Sequence, residues 1–234
     1  MFRARGKTAG SSSAGFVGEA ATSWKGLPSW VLADAGVWLE GGLVVVPYRT
    51  SAGELYADRV IAGSGRRWWS PGDGRPVIPF GLDRLERLAF RRYRALAICE
   101  GESDALALSA AFKGDGVDVL GVPGAGTWKP EWAVHAVGYS AVYVAGDGDA
   151  AGRTLDAAVY RDVPGSMSLR LPDGADVRAL LQADGPDAVL ELIRQADWQQ
   201  RVGLAFTAAS SYNDLLRRLG VAETPLKLEL RAAA

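Results

Sequence analysis

The sequence predicts an α/β fold: a Rossmann-like parallel sheet flanked by helices, preceded by a small mixed subdomain. Three observations predict it. From Ala95 onward, short apolar runs alternate with helix-period stretches, which is the mark of βαβ units and a parallel sheet. From Leu27 to Phe90 the signals are mostly β, with period-two alternation and turn residues. The chain has 234 residues, 48% hydrophobic and 23% charged, the usage of a globular protein with one full domain and a smaller addition.

The elements follow in order. Met1 to Ser23 is small, polar and Gly/Ser-rich, with Arg3, Arg5 and Lys7 at its front. No apolar run of signal-peptide length follows them, so residues 1–26 are expected to be a flexible basic tail. Leu43 to Tyr48 is an apolar, β-branched run, Thr50 to Gly53 is a turn, and Glu54 to Ile61 alternates: together a hairpin. Gly63 to Pro79 is rich in Gly, Pro, Arg and Trp, and is expected to hold another hairpin with a long loop. Ala95–Cys99, Val117–Val122, Ala141–Ala145 and Ser166–Leu171 read as strands. Ser103–Phe112, Ala150–Tyr160, Asp176–Gln182 and Pro186–Gln199 read as helices, the last with Pro186 at its first position. Near the end, Ser211 with Asp214 forms a capping-box pattern for a helix from Tyr212 to Leu219, stopped at Gly220. The domain boundaries expected are 1–26, 27–92, 93–200 and a helical appendix over 201–234.

Composition excludes several chemistries. The formal net charge is −1, so nucleic acid could be held only by a local basic patch. One Cys and one His rule out a zinc site or an internal disulfide, and leave His135 as the only histidine for a nucleophilic triad. Any bound metal must therefore be held by oxygen. No stretch approaches the ~18 apolar residues of a membrane span. A Walker A sequence is absent. Gly146 to Gly152 resembles a dinucleotide glycine fingerprint only faintly, being one residue too long and carrying aspartates that would repel a pyrophosphate.

Acidic residues recur where predicted strands end. The first strand delivers Glu100, the third delivers Asp147 and Asp149, and the fourth is followed by Asp173 and Asp176. In an open parallel sheet those carboxyl ends form the site. Carboxylates gathered there repel one another and raise each other's pKa unless a cation neutralises them. Glu100, Asp147, Asp149 and Asp176 are therefore expected to gather around a divalent ion, with Mg²⁺ or Mn²⁺ the natural guest. Gly146 and Gly148 leave room for a phosphate, and Arg153 in the first turn of the next helix could clamp one.

Three segments carry a family resemblance. Glu100-Gly101-Glu102-Ser103-Asp104, Ala145-Gly146-Asp147-Gly148-Asp149 through Arg153, and Leu171-Pro172-Asp173-Gly174-Ala175-Asp176 resemble the three motifs of Toprim domains. They are most similar to the Toprim domains of bacterial replicative primases and phage primase–helicases. The resemblance covers about Ala95 to Trp198, and Gly121 to Ala125 is similar to the segment after the second strand in that group. It implies that Glu100 is a metal ligand or general acid/base and that Asp104 supports the metal site. Asp147 and Asp149 would be the paired metal ligands, and Asp176 the first acid of the third motif. Where primases often carry a second acid two residues on, this sequence has Arg178.

The resemblance implies a DNA primase catalytic core, a metal-dependent enzyme making RNA primers from ribonucleoside triphosphates on a single-stranded DNA template. Toprim nucleases and non-catalytic Toprim nucleic-acid modules are the alternatives; a topoisomerase would need strand-gate domains that this length cannot hold. Primases place basic residues upstream of the Toprim core. Arg49, Arg59, Arg66 and Arg67 are the candidates here for template and nucleotide binding, with Trp68 and Trp69 as a stacking surface. With no zinc module or helicase in the chain, a separate helicase or other replication protein is expected as partner, docking near Arg201 to Leu230. The expected setting is the cytoplasm of a bacterial or phage-infected cell.

Overall fold

A computed structural model describes residues 24–72, 74–208 and 212–220. The expectations for the N-terminal arm up to Ser23, the Ser211 cap and the chain beyond Gly220 lie outside the described residues.

Two four-stranded sheets build the molecule. The first is antiparallel, in the order β1 (Trp38–Glu40), β2 (Leu43–Arg49), β3 (Leu55–Ala62), β4 (Arg67–Ser70). The β2–β3 hairpin turns through Thr50–Gly53, where Gly53 takes φ +82°. α1 (Ser29–Asp34) precedes this sheet, although the sequence there reads as β. Its six residues are too short for a helical period to show, and packing of Val31 and Leu32 into the core fixes it.

The second sheet is parallel, in the order β6 (Val117–Val122), β5 (Ala95–Glu100), β7 (Ala141–Ala145), β8 (Met167–Ser168). It is joined by α2 (Gly101–Ala111), α3 (Ala150–Asp162), α4 (Val177–Asp184) and α5 (Pro186–Ala208). A last helix, α6 (Tyr212–Leu219), ends at Gly220, which takes φ +69°. Both faces of the sheet are covered, so its strands are mostly apolar. Leu96, Ile98, Val142 and Val144 point to one face, against Leu155 and Val159 of α3. Ala97, Cys99, Tyr143 and Ala145 point to the other, with α2, Val177 and Val189. That second core also contains Val46, Tyr48 and Ile61 of the antiparallel sheet, so the small subdomain shares its core with the larger one.

Three boundaries differ from the sequence reading. β8 pairs over two residues where six were expected, because Leu171-Pro172 turns the chain away, although Leu169 N–H still donates to Val144 O. α5 runs on to Ala208, through the boundary expected at residue 200. Trp24–Gly26, assigned to a flexible tail, forms a 3₁₀ turn docked on the Toprim-like half: Lys25 Nζ donates to Ser103 Oγ at 3.1 Å. Among the described residues, no helix is long and apolar enough to cross a membrane.

Candidate active site at the carboxyl edge of the parallel sheet

Four short segments position the acids. β5 ends at Glu100, and Gly101 at φ +79° turns the chain straight into α2, whose first turn carries Glu102 and Asp104. β7 ends at Ala145, and the loop Gly146–Asp149 enters α3. Asp149 is the N-cap of that helix, its Oδ1 accepting from Gly152 N–H at 2.9 Å. Asp176 caps α4 in the same way, accepting from Ala179 N–H at 2.5 Å.

The Asp147 and Asp176 loops are stitched together through Gly148. Gly148 N–H donates to Ala175 O and Gly174 N–H donates to Gly148 O, both at 2.8 Å. Glycine is required: a Cβ on Gly148 would sit 1.9 Å from Pro172 O, and one on Gly152 would sit 2.0 Å from Asp147 O.

The electrostatics confirm that these acids share one field. Asp104, almost fully buried, has its pKa raised to about 7, first by burial and then by Asp176 and Asp147. Asp147 is raised to about 6, by burial first and then by Glu100, Asp176 and Asp149. Lys25 opposes both shifts. His135 lies on the 3₁₀ segment Pro130–Ala136 and is not among the groups acting on either aspartate.

The donor set fits a hard cation. Glu100 Oε2, Asp104 Oδ1 and Asp147 Oδ1 are buried without a hydrogen-bond partner, which is costly for a carboxylate unless a cation satisfies it. The arrangement is looser than the cage expected from the sequence. Among the described residues, no three acids stand grouped closely enough to hold an ion as they are. The reason is competition: Asp149 and Asp176 each give an oxygen to a helix cap, and Asp176 also accepts from Arg178 Nη2 at 2.8 Å.

Beside the loop opens a groove of about 540 Å³ lined by Asp147, Gly148, Arg153, Tyr160, Arg170 and Asp173. Arg153 stands where the sequence placed it; Arg170 was not singled out. Ser166 also lines the groove, with a buried hydroxyl that lacks a partner.

The upstream arginines do not form one patch. Cross-strand register puts Tyr48, Ala57, Arg59, Ile61, Arg67 and Trp69 on one face, since Arg59 faces Trp69 and Ile61 faces Arg67. Tyr48 and Ile61 on that face are buried against the parallel-sheet half, whereas Arg67 at its end is exposed. Arg59 stacks on Trp69, 4.6 Å from the ring centroid, and Arg59 and Arg67 both act on Tyr48. Trp68 points to the opposite face, with Arg66 over its ring at 5.9 Å. Adjacent strand residues alternate, so the two rings lie on opposite faces of the strand, although both residues line a groove of about 370 Å³ with Pro71 and Arg75. Trp69 instead packs edge-on against Tyr48 at 4.7 Å. Arg49 donates to Gly53 O in its own hairpin turn.

Two contributors were missed in the sequence. Lys25 was hidden by the Gly/Ser-rich composition before it; the signal was Trp24, a lone aromatic at the end of a polar tract. The other is the buried pair Tyr48–Glu102.

Comparison with known proteins agrees with this geometry. The Toprim domain family matches residues 95–164. The "Gene 57 protein" of Mycobacterium phage D29 is 36% identical over 126 residues, covering 52% of this chain and 80% of that protein. The chain belongs to the Toprim family. Its fold is that of primase catalytic cores. The primase fragment of the bacteriophage T7 primase–helicase superposes with a TM-score of 0.61 at 18% identity, covering 72% of this chain and 71% of that one. The RNA polymerase domain of Mycobacterium tuberculosis primase DnaG, in complex with DNA carrying a single-stranded overhang, gives 0.52 at 20% identity, covering 84% and 71%. The family match spans Glu100–Asp104 and Asp147–Asp149 and ends before Asp173–Asp176.

Proposed function

We propose that this Toprim protein is a DNA primase catalytic core that joins ribonucleotides on single-stranded DNA. The observation that carries the reading is the trio of unpartnered carboxylate oxygens on Glu100, Asp104 and Asp147, of which Asp147 also lines a groove with Arg153 and Arg170. Glu100, Asp147 and Asp149 would hold Mg²⁺ or Mn²⁺, with Asp104 and Asp176 in support. The bound ion supplies charge neutralisation at the triphosphate and acidity at the attacking 3′-hydroxyl. Arg153 and Arg170 grip phosphate oxygens of the incoming nucleotide. Arg59 and Arg67, on the sheet face turned toward the Toprim half, hold the template backbone, and Arg49 and Arg66 add charge at its margin. The fold likeness to the T7 primase–helicase fragment favours a helicase as the working partner, and the D29 relative favours a phage-infected cell as its setting.

The test is nucleotide incorporation on random single-stranded DNA, with and without Mg²⁺ or Mn²⁺. Primers should appear only with the ion and vanish in Asp147→Asn. Cleavage of labelled DNA with Mn²⁺ and no primer synthesis would instead identify a nuclease.

A further inference from the structure

Arg178 occupies a place that needs explaining. It is the second residue of α4, where the helix dipole disfavours a cation. Its side chain is only 17% exposed. It is held from three sides. Nη2 donates to Asp176 Oδ2 at 2.8 Å, and Nη1 donates to Gln182 Oε1 at 2.9 Å and to Lys25 O at 3.2 Å. Nε lies 3.8 Å from Asp104 Oδ1, an ion pair too long for a hydrogen bond, and neither atom has a hydrogen-bond partner. Gln182 Nε2 donates to the same Lys25 carbonyl at 2.7 Å, locking the guanidinium against the Trp24–Gly26 turn.

The acidic centre is thereby divided. Asp104 and Asp176 face a fixed guanidinium. Glu100 and Asp147, with Asp149 beside them, face no buried guanidinium, only the exposed Lys25 acting on Asp147, and Glu100 Oε2 and Asp147 Oδ1 remain unpartnered. A second divalent ion next to Asp104 and Asp176 would have to approach a buried positive charge, whereas one on the Glu100–Asp147 side would not.

Resting on the reading of this centre as the metal site, we propose that Arg178 is a resident cation that takes the place of a second metal ion. The protein then binds a single divalent ion, on the Glu100–Asp147–Asp149 side. A carboxylate at position 178 would remove the guanidinium and add ligands, opening the second site.

The experiment counts Mn²⁺ bound per chain, by equilibrium dialysis and by electron paramagnetic resonance, on the full chain without nucleotide. Wild type and Arg178→Lys should bind one ion, and Arg178→Asp two. Two ions on wild type, or one on a folded Arg178→Asp, would overturn the proposal while leaving the primase reading in place. No ion on wild type would overturn both. If Arg178→Asp does not fold, as checked by circular dichroism, the wild-type count decides alone.

Discussion

The hydroxyl of Tyr48, on β2, donates a 2.7 Å hydrogen bond to Glu102 Oε1, on α2, and both residues are buried. This bond ties the antiparallel sheet to the helix that carries Asp104. Burial and the neighbouring Glu102 charge push the Tyr48 phenol well above its ordinary pKa, so it remains a donor across the working pH range. Tyr48→Phe leaves a buried carboxylate short of a partner, a loss of about 1–3 kcal/mol. The thermal midpoint should fall by roughly 2–4 °C per kcal/mol for a chain of this size. Adding Glu102→Leu to Tyr48→Phe should recover part of the loss, because the unmet group is gone. A double-mutant cycle by thermal unfolding checks this, and no coupling between the two positions would contradict it.

Stability should depend on pH through Asp104 and Asp147, and divalent ions should change that dependence. Both pKa values lie above the ordinary 3.8, at about 7 and about 6. The folded chain therefore keeps protons that the unfolded chain has released. This contribution to stability is complete below about pH 4 and is lost as pH rises through about 6 to 7. Without divalent ions, the midpoint should fall from about pH 5 to about pH 8 more steeply than in Asp104→Asn. Mg²⁺ should raise it more at the higher pH, since binding there displaces no proton. Calorimetry at both pH values, with and without Mg²⁺, reads the effect. Equal stabilisation at both would count against these carboxylates as ligands.

The sheet register makes a further distinction. Arg67 shares the inward face with Tyr48 and Trp69, whereas Trp68 looks outward. Arg67→Ala should weaken binding to single-stranded DNA of any sequence and flatten its salt dependence by about one in log–log slope. Trp68→Ala should leave both nearly unchanged. Trp69→Ala should lower stability by about 2 kcal/mol, through lost contact with Tyr48 and Arg59. Fluorescence anisotropy over a salt series separates the three; an outward DNA path would reverse the order of Arg67 and Trp68.

How much of this was legible in the sequence follows from the range of each interaction. β5, β6 and β7 show as apolar runs because both their faces are buried, and Asp147 and Asp149 show because their glycine neighbours are local. The Asp149 and Asp176 caps were not foreseen, because an Asp at the start of a helix reads equally well as ligand or as cap. Contacts across 54 residues, such as Tyr48 to Glu102, or across 153, such as Lys25 O to Arg178, leave no local period at all. Nor does the direction of a side chain in a short strand: the Trp68-Trp69 pair reads as one surface until the register splits it.

Gly148 offers the sharpest test of the loop that carries Asp147. Its N–H and carbonyl both bond to the Pro172–Ala175 turn, and its missing side chain lets Pro172 O approach to within 1.9 Å of where a Cβ would stand. Backbone is rigid there on both sides, so Gly148→Ala must push the Asp147 and Asp176 loops apart. Overpacking of this kind costs about 1–3 kcal/mol. The larger consequence falls on the site, because those two bonds join the Asp147 loop to the turn that leads into Asp176. Mn²⁺ affinity should drop at least tenfold, about 1.4 kcal/mol, even where most of the fold survives. Gly63→Ala is the control: a Cβ there meets nothing within 4 Å, and both stability and Mn²⁺ binding should be unchanged. Isothermal titration with Mn²⁺ on the two variants gives the comparison, and wild-type affinity in Gly148→Ala would show that the loop pairing does not set the metal site.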